Sequence, residues 1–172
     1  MKTRKILIGI IVACAFALTL GLAGCGGGGG DDGGAAASDA PGTPTTIDYA
    51  SFNMPDGWDN APESDSYVTI ASKDNDEQII KIFRETLFSD ETIESVAAKR
   101  AGYYDAEPGE PIVIGETTWI PVDFTFNDLP SRFFYAQLDD GNYMYVTAYE
   151  LTDADEPVQT VLSTLSVAVP EE

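Results

Sequence analysis

One stretch predicts a β-sheet more clearly than any other: Thr117-Thr118-Trp119-Ile120-Pro121-Val122-Asp123-Phe124-Thr125-Phe126-Asn127. Successive side chains of a strand point to opposite faces of the sheet, so every second residue shares a face. One face of this stretch carries Ile120, Val122, Phe124 and Phe126, and the other carries Trp119 and Pro121. Both faces are apolar, which predicts a sheet that is covered on both sides.

Two later stretches repeat this pattern. In Ser131 to Leu138, one face carries Phe134, Ala136 and Leu138 and the other carries Phe133 and Tyr135; in Asn142 to Tyr149, one carries Met144, Val146 and Ala148 and the other carries Tyr143, Tyr145 and Tyr149. Asp139-Asp140-Gly141 between them contains Asp-Gly, a strong signal for a hairpin turn. We predict further strands at Ile47 to Asn53, Tyr67 to Ser72, Gln78 to Thr86 and Ile112 to Ile114.

Two amphipathic helices are predicted to cover this sheet. The first, Asp90 to Tyr104, is capped by Ser89 or Asp90 and has apolar residues at helical spacing. The second, Asp155 to Leu165, starts after Thr152 or Asp153 and also has one apolar face. The predicted fold is therefore of the α/β (α+β) class, a mostly antiparallel β-sheet sandwiched between two helices.

The start of this domain resembles a known family. Phe52-Asn53-Met54-Pro55-Asp56-Gly57-Trp58 is similar to the F-x-x-P-x-G-W entry of the PsbP-like fold, which Mog-type Ran-binding proteins and LpqN-type bacterial lipoproteins share. The order of helices and strands after it also resembles that plan. The resemblance implies an α/β/α sandwich used mainly to bind proteins or small ligands, and it implies no particular binding residue.

The N-terminus has the parts of a secretory signal peptide. Lys2, Arg4 and Lys5 precede an apolar run from Ile6 to Leu22, and small residues follow it. Leu22-Ala23-Gly24-Cys25 resembles the lipobox of bacterial lipoproteins. That resemblance implies cleavage before Cys25, a diacylglyceryl group on its sulfur and an acylated N-terminus, such as a palmitoyl chain. The alternative is an uncleaved transmembrane helix.

The sequence divides into three regions. Residues 1–24 are the predicted signal peptide, and residues 25–46 are the lipidated cysteine with a tether rich in Gly, Ala and Pro. The tether has no apolar periodicity, which predicts a flexible linker. Residues 47–172 are predicted to form one extracytoplasmic domain. The protein is therefore expected at a cell membrane, facing outside the cytoplasm, and the sequence leaves open whether that membrane is the cytoplasmic or an outer one.

Charge excludes one class of partner. The chain has nine basic and 29 acidic residues, and removal of the signal peptide leaves six basic residues against 29 acidic ones, a formal charge of −23. Such a surface lacks the basic footprint of nucleic-acid binding, so we expect no nucleic-acid partner. It also repels anionic headgroups, which leaves membrane attachment to the lipid.

Residue types exclude much catalytic chemistry. The chain has no histidine, so Ser-His-Asp and Cys-His catalysis and His-ligated zinc are absent. Its cysteines are Cys14, within the signal peptide, and Cys25, so the domain has none to pair. Lys73 to Glu77 is a candidate calcium loop, but a solvated turn explains it more simply, and a helix cap explains Asp153, Asp155 and Glu156 better than a cation site does. Glu107, Glu110 and Glu116 are candidates for acid/base chemistry, but nothing in the sequence places two of these carboxylates at the separation that a glycosidase needs.

Aromatic residues are the remaining candidates for a site. Trp58, Trp119 and the tyrosines Tyr143, Tyr145 and Tyr149 are of types enriched at binding surfaces, and Trp58 with Trp119 is the preferred pair. Packing beneath a helix is nevertheless the favoured interpretation, and the pair is the choice for a site if these residues form one. Arg132 is a candidate for an anionic ligand, with a surface salt bridge as its alternative.

These observations predict a non-catalytic lipoprotein that binds an unknown protein or a component of the cell envelope. The alternative is a module that binds a small molecule or a cation for a transporter or a sensor, and a hydrolase comes third. We expect no enzyme activity, no cofactor and no bound metal. The sequence does not identify the partner, the ligand or the oligomeric state.

Overall fold

The computed structural model describes residues 41–139 and 141–169, and the predicted signal peptide and lipobox lie outside them. The described residues contain the following elements: β1 Thr43–Ile47, β2 Ala50–Met54, β3 Trp58–Asn60, β4 Val68–Ser72, β5 Ile79–Thr86, α1 Ile93–Gly102, β6 Ile112–Ile114, β7 Thr117–Phe126, β8 Leu129–Gln137, β9 Asn142–Tyr149, α2 Glu156–Thr164 and β10 Ser166–Val167. Within these ranges, neither helix combines the length and apolarity needed to cross a bilayer.

Seven strands form the main sheet in the order β3-β4-β5-β9-β8-β7-β6. Every neighbouring pair is antiparallel. The long central pairings run from Ile79 opposite Tyr149 to Thr86 opposite Asn142, and from Ile120 opposite Tyr135 to Phe126 opposite Leu129. The prediction of a mostly antiparallel sheet is therefore confirmed.

The sheet has apolar residues on both faces, as the alternation predicts. One face packs with α2 and the small sheet around Trp119, Phe134 and Val146. The other face packs beneath α1 around Val122 and Tyr135. The protein is thus an α+β sandwich with one helix on each side of a mostly antiparallel sheet.

A second, three-stranded sheet was missed by the sequence prediction. Strands β1, β2 and β10 pair in the order β1-β2-β10, with Thr43 opposite Met54 and Val167 opposite Ala50. The predicted single strand Ile47 to Asn53 is therefore wrong, because the chain turns at Asp48 and Tyr49. The predicted tether boundary at residue 46 is also wrong, since residues 43–46 pair with β2.

Both helices start later than predicted. Helix α1 is capped by Thr92, whose hydroxyl accepts a hydrogen bond from the Ser95 amide at 3.3 Å while the Thr92 amide donates to Ser95 Oγ at 2.9 Å. Helix α2 is preceded by Asp155, whose carboxylate accepts from the Thr152 amide at 2.6 Å. The bonds at the start of α1 are reciprocal, as in a capping box, whereas those before α2 run only from Thr152 to Asp155.

Candidate functional site

Trp58 and Trp119 lie in the core. Their exposed fractions are 5% and 0%, and both belong to the apolar cluster beneath α2. Trp119 meets Phe134 edge to face at 6.4 Å between ring centroids. The preference for these tryptophans as a surface site is therefore wrong, because α2 and the small sheet cover the face on which they lie.

Arg132 is bonded within the protein. Its Nη2 donates to Asp123 Oδ2 at 2.9 Å, its Nε bonds the other oxygen of Asp123, and its Nη1 bonds Asp153. The hydrogen bonds that the guanidinium donates to Asp123 outweigh the effect of burial and raise the pKa of Arg132. Arg132 ties β7 and β8 to the segment before α2, so we do not place an anionic ligand there.

Tyr143 and Tyr145 lie on the opposite face from the tryptophans. The Tyr143 hydroxyl donates to Glu85 Oε2 at 2.5 Å. The Tyr145 ring stacks on Phe83 at 4.3 Å between centroids, and the Arg100 guanidinium lies 5.3 Å from the same ring. The structure therefore brings these two predicted residues together with residues of β5 and α1.

Burial keeps these phenols neutral. Desolvation raises the pKa of Tyr143, of Tyr145 and of the fully buried Tyr135 well above the ordinary value of 10.0. Hydrogen bonding to Glu85 also raises the pKa of Tyr143, because the donor proton must be lost on ionisation. Tyr143 acts as a hydrogen-bond donor and all three rings pack against their neighbours, and none of the three phenols has the lowered pKa of an activated nucleophile.

Helix α1 covers only part of its face of the sheet. It packs mainly on β7 and β8, whereas side chains at the start of β5 and the end of β9 stay partly exposed on the same face. The side chains left between solvent and sheet form what we call the aromatic surface: Tyr67, Phe83, Phe126 and Tyr149, with Lys81 among them. Tyr67 and Phe83 are 4.7 Å apart and Phe126 and Tyr149 are 5.5 Å apart between centroids.

Lys81 is engaged at the centre of the aromatic surface. Its Nζ lies 2.5 Å from Glu63 Oε2, 5.2 Å from the Tyr67 centroid and 5.7 Å from the Tyr149 centroid. Burial is the largest single effect and would lower the pKa of Lys81, but the hydrogen bond and the charge of Glu63, together with Tyr149 and Tyr67, outweigh it and raise the pKa. The same bond lowers the pKa of Glu63. The pair removes the cost of an isolated ammonium among rings.

A cleft opens at the end of the aromatic surface. It has a volume of about 220 Å³ and lies between β5, the β7–β8 turn and the end of β9, with Ile79, Lys81, Phe126, Leu129 and Tyr149 in its wall. Phe126 is 43% exposed here. A large exposed aromatic ring beside an apolar cleft is typical of a contact surface.

A second depression, which we call the helix groove, lies between α1, the end of β5 and the start of β9. It has a volume of about 200 Å³ and is lined by Glu85, Phe88, Lys99, Arg100, Tyr103 and Tyr143. Phe88 and Tyr103 are 73% and 71% exposed. The groove thus combines two exposed rings with charged groups of both signs.

The described residues contain no group of three or more His, Cys, Asp or Glu side chains that could hold a metal ion. In the turn after β4, Asn75 Nδ2 donates to Glu150 Oε2 at 2.7 Å and Asn75 Oδ1 accepts from the Glu77 amide at 3.1 Å. The side-chain amide of Asn75 is thus used in fixing the shape of that turn.

Sequence reasoning missed Glu85, Phe88, Arg100 and Tyr103. The signal for Phe88 and Tyr103 was their position, because each is a large ring just outside the ends of a helix and off its apolar stripe. Nothing local places Glu85 or Arg100 beside Tyr143, since that contact depends on where α1 lies on the sheet.

No protein-family model and no curated protein matches the sequence. Solved structures that resemble the chain include a protein of Bacteroides thetaiotaomicron, with a TM-score of 0.46 and 12% identity over 70% of this chain. This chain spans 46% of the length of that protein.

Two further structures are of the kinds named by the sequence resemblance. Cyanobacterial PsbP of Synechocystis has a TM-score of 0.48 and 15% identity, over 81% of this chain and 98% of its own. LpqN of Mycobacterium tuberculosis, described as involved in cell envelope biogenesis, has a TM-score of 0.48 and 15% identity, over 76% of this chain and 87% of its own.

Proposed function

We propose that the protein is a membrane-anchored extracytoplasmic lipoprotein whose domain binds a protein partner through the aromatic surface, without catalysis. The observation that carries this proposal is the aromatic surface itself, whose four rings remain partly or largely exposed beside the part of the sheet on which α1 packs. Aromatic residues are enriched at the centres of protein interfaces, where they supply much of the binding energy.

Charge specifies the partner. The domain is strongly acidic, and the one lysine of the aromatic surface is paired with Glu63, so the surface presents apolar rings within a negative field. Such a field speeds association with a basic protein and repels an acidic one. The proposed partner therefore carries a basic rim around an apolar contact.

The proposed chemistry is binding because the titratable groups near the surface are not poised for proton transfer. The buried tyrosines have raised pKa values, and the Glu63–Lys81 pair holds each partner in its charged form. A general acid or base works best with a pKa near the operating pH.

Site-specific photocrosslinking in native membranes tests the surface. A photoreactive amino acid would replace Phe126, at 43% exposure, or Val113, at 70% exposure on the edge strand β6. We expect a saturable crosslink to one protein at position 126 and none at position 113. Absence of a crosslink at position 126, or equal products at both positions, would exclude this surface as the partner site.

The anchor is tested separately. Cys25→Ala removes the proposed site of lipid attachment and leaves the domain unchanged. We expect the variant in the soluble fraction, because several acyl chains are what makes such an anchor stable. Retention of the variant in the membrane pellet would contradict lipid anchoring.

A further inference from the structure

We propose that the helix groove binds a small zwitterion with a large apolar group, of the chemical class of a free amino acid such as phenylalanine. The groove is separate from the aromatic surface, and its occupant is independent of the protein partner proposed above. Charge, apolar surface and size each restrict the ligand.

Arg100 and Glu85, two oppositely charged groups of the groove, do not form an ion pair with each other. Among the described residues, Arg100 has no carboxylate within 4.0 Å, although Glu85 lines the same groove. Glu85 accepts a hydrogen bond from neutral Tyr143 and has no cation within 4.0 Å. A positive and a negative group therefore face one space, and each retains capacity for an ionic partner.

A second pair of charges borders the groove. Lys99 Nζ lies 3.6 Å from Glu91 Oε1, and the Lys99 side chain is 64% exposed. The groove consequently has two acidic and two basic groups. A simple anion would meet repulsion from Glu85 and Glu91, and a simple cation would meet repulsion from Lys99 and Arg100. A zwitterion satisfies both signs.

The apolar part of the ligand follows from the rim. Phe88 and Tyr103 both line the groove and are among the most exposed large apolar side chains of the described residues. Val96, 8% exposed, lies between them on α1. An aromatic side chain bound in the groove would contact this exposed ring surface, and aromatic pairs are favourable beyond the area that they bury.

The volume restricts the ligand to a small molecule. About 200 Å³ is below the roughly 300–1,000 Å³ of pockets that enclose drug-sized ligands. In the proposed pose, the ligand carboxylate accepts hydrogen bonds from the Arg100 guanidinium, its ammonium group donates to Glu85, and its apolar side chain lies between Phe88 and Tyr103. A guanidinium suits a carboxylate because two parallel N–H donors match its two oxygens.

Calorimetric titration of the full-length protein in detergent tests this assignment. The probes are L-phenylalanine, 2-phenylethylamine, which lacks the carboxylate, and 3-phenylpropionate, which lacks the ammonium group. We expect saturable binding of L-phenylalanine and at least tenfold weaker binding of each truncated probe, because a hydrogen bond to a charged group is worth at least that factor.

Three variants locate the binding. Arg100→Gln and Glu85→Gln should each weaken L-phenylalanine binding at least tenfold, and both positions are partly or largely exposed, so folding should be retained. Lys73→Gln is the control, because Lys73 is an exposed cation paired with Asp59 away from the groove. It should bind as the wild type does.

The proposal is overturned by any of three results. These are no saturable binding of L-phenylalanine, equal binding of the three probes, or unchanged binding in both groove variants. A variant that fails to fold is replaced by Phe88→Ala, which removes an exposed ring and should also weaken binding. None of these results affects the crosslink at position 126, so the two proposals fail separately.

Discussion

Gly115 occupies a position that leaves no room for a side chain. Its φ is +63°, and a Cβ added there would lie 2.6 Å from the backbone oxygen of Ser163 in α2. We predict that Gly115→Ala lowers the free energy of unfolding by about 1–3 kcal/mol, because both the backbone conformation and the contact oppose a side chain. Urea unfolding measures this change.

Gly102 supplies the matched control. It is the last residue of α1, and a Cβ added there meets nothing within 4 Å. Gly102→Ala should be neutral or stabilising by up to about 1 kcal/mol. Similar losses of stability in the two variants would contradict this explanation, because only Gly115 lies against Ser163 of α2.

Glu63 gives a pH prediction at the same scale. Its pKa is lowered by the hydrogen bond from Lys81, so its stabilising contribution is complete above the ordinary value of 4.5 and is lost as the pH falls through the lowered value. The raised pKa of Lys81 means that its own contribution is lost only as the pH rises above 10.5. Between these limits the pair should contribute a constant amount.

Glu63→Gln measures that contribution. We predict a loss of about 0.2–1 kcal/mol near neutral pH, since Glu63 is 44% exposed, and a smaller loss at pH 3. Asp65→Asn, at an exposed neighbouring residue with no ion pair in the described structure, is the control. A loss for Glu63→Gln that does not change with pH would contradict the role of the ion pair.

At the residue scale, the sequence predicted which side chains share a face of a strand better than it predicted which side chains are buried. Alternation correctly separated Trp119 from Ile120 within one strand and Tyr143 from Met144 within another, because that pattern is a property of the strand alone. Whether a face is open depends on where a distant helix lies. The sequence therefore did not specify that Trp119 is buried or that a groove lies beside Tyr143.

The start of α1 is an element whose position can be tested. The sequence offered Ser89 and Asp90 as caps, whereas the structure uses Thr92 with Ser95. We predict that Thr92→Ala destabilises the protein by about 1 kcal/mol, because the Ser95 amide loses its acceptor. Ser89→Ala should change stability little. Thermal unfolding compares the two, and a larger effect of Ser89→Ala would favour the earlier start.

Among the elements, the long strands were predictable, and so was the three-residue strand β6, Ile112–Ile114, whereas the pairing of β1 and β10 with β2 was not. Strands β7, β8 and β9 have eight or more residues each and carry their own alternation. Strand β10 has two residues, and β1 continues the polar composition of the predicted tether. Their pairing with β2 joins distant parts of the chain, which no local pattern records.

The extent of the whole domain gives a further prediction. Strand β1 pairs along its length with β2, and Asn53 Nδ2 donates to the Pro41 carbonyl at 3.1 Å. Deletion of residues 26–46 should therefore lower the free energy of unfolding by about 2 kcal/mol, because the edge strand and its hydrogen bonds are lost. Deletion of residues 26–40 should have no such effect. Equal stability of the two deletions would restore the predicted boundary at residue 46.

For the whole molecule, fold class followed from patterns of apolar residues and function did not. A sheet with two apolar faces needs a cover on each side, so the sandwich was predictable. The helix groove and the aromatic surface depend on how much of the sheet α1 leaves open. That extent is set by packing among Val96, Ala97 and Ala101 and the strands beneath them, which a single sequence does not specify.

The main sheet ends on both sides in strands of only three residues, β3 and β6. An unpaired strand is a template on which another copy can add, and short edge strands limit that template. In the small sheet, the edge strand β1 contains Pro44, which has no amide hydrogen to donate. Molecules held on one membrane by the proposed anchor would be crowded in two dimensions, and these blunt edges would oppose their polymerisation there.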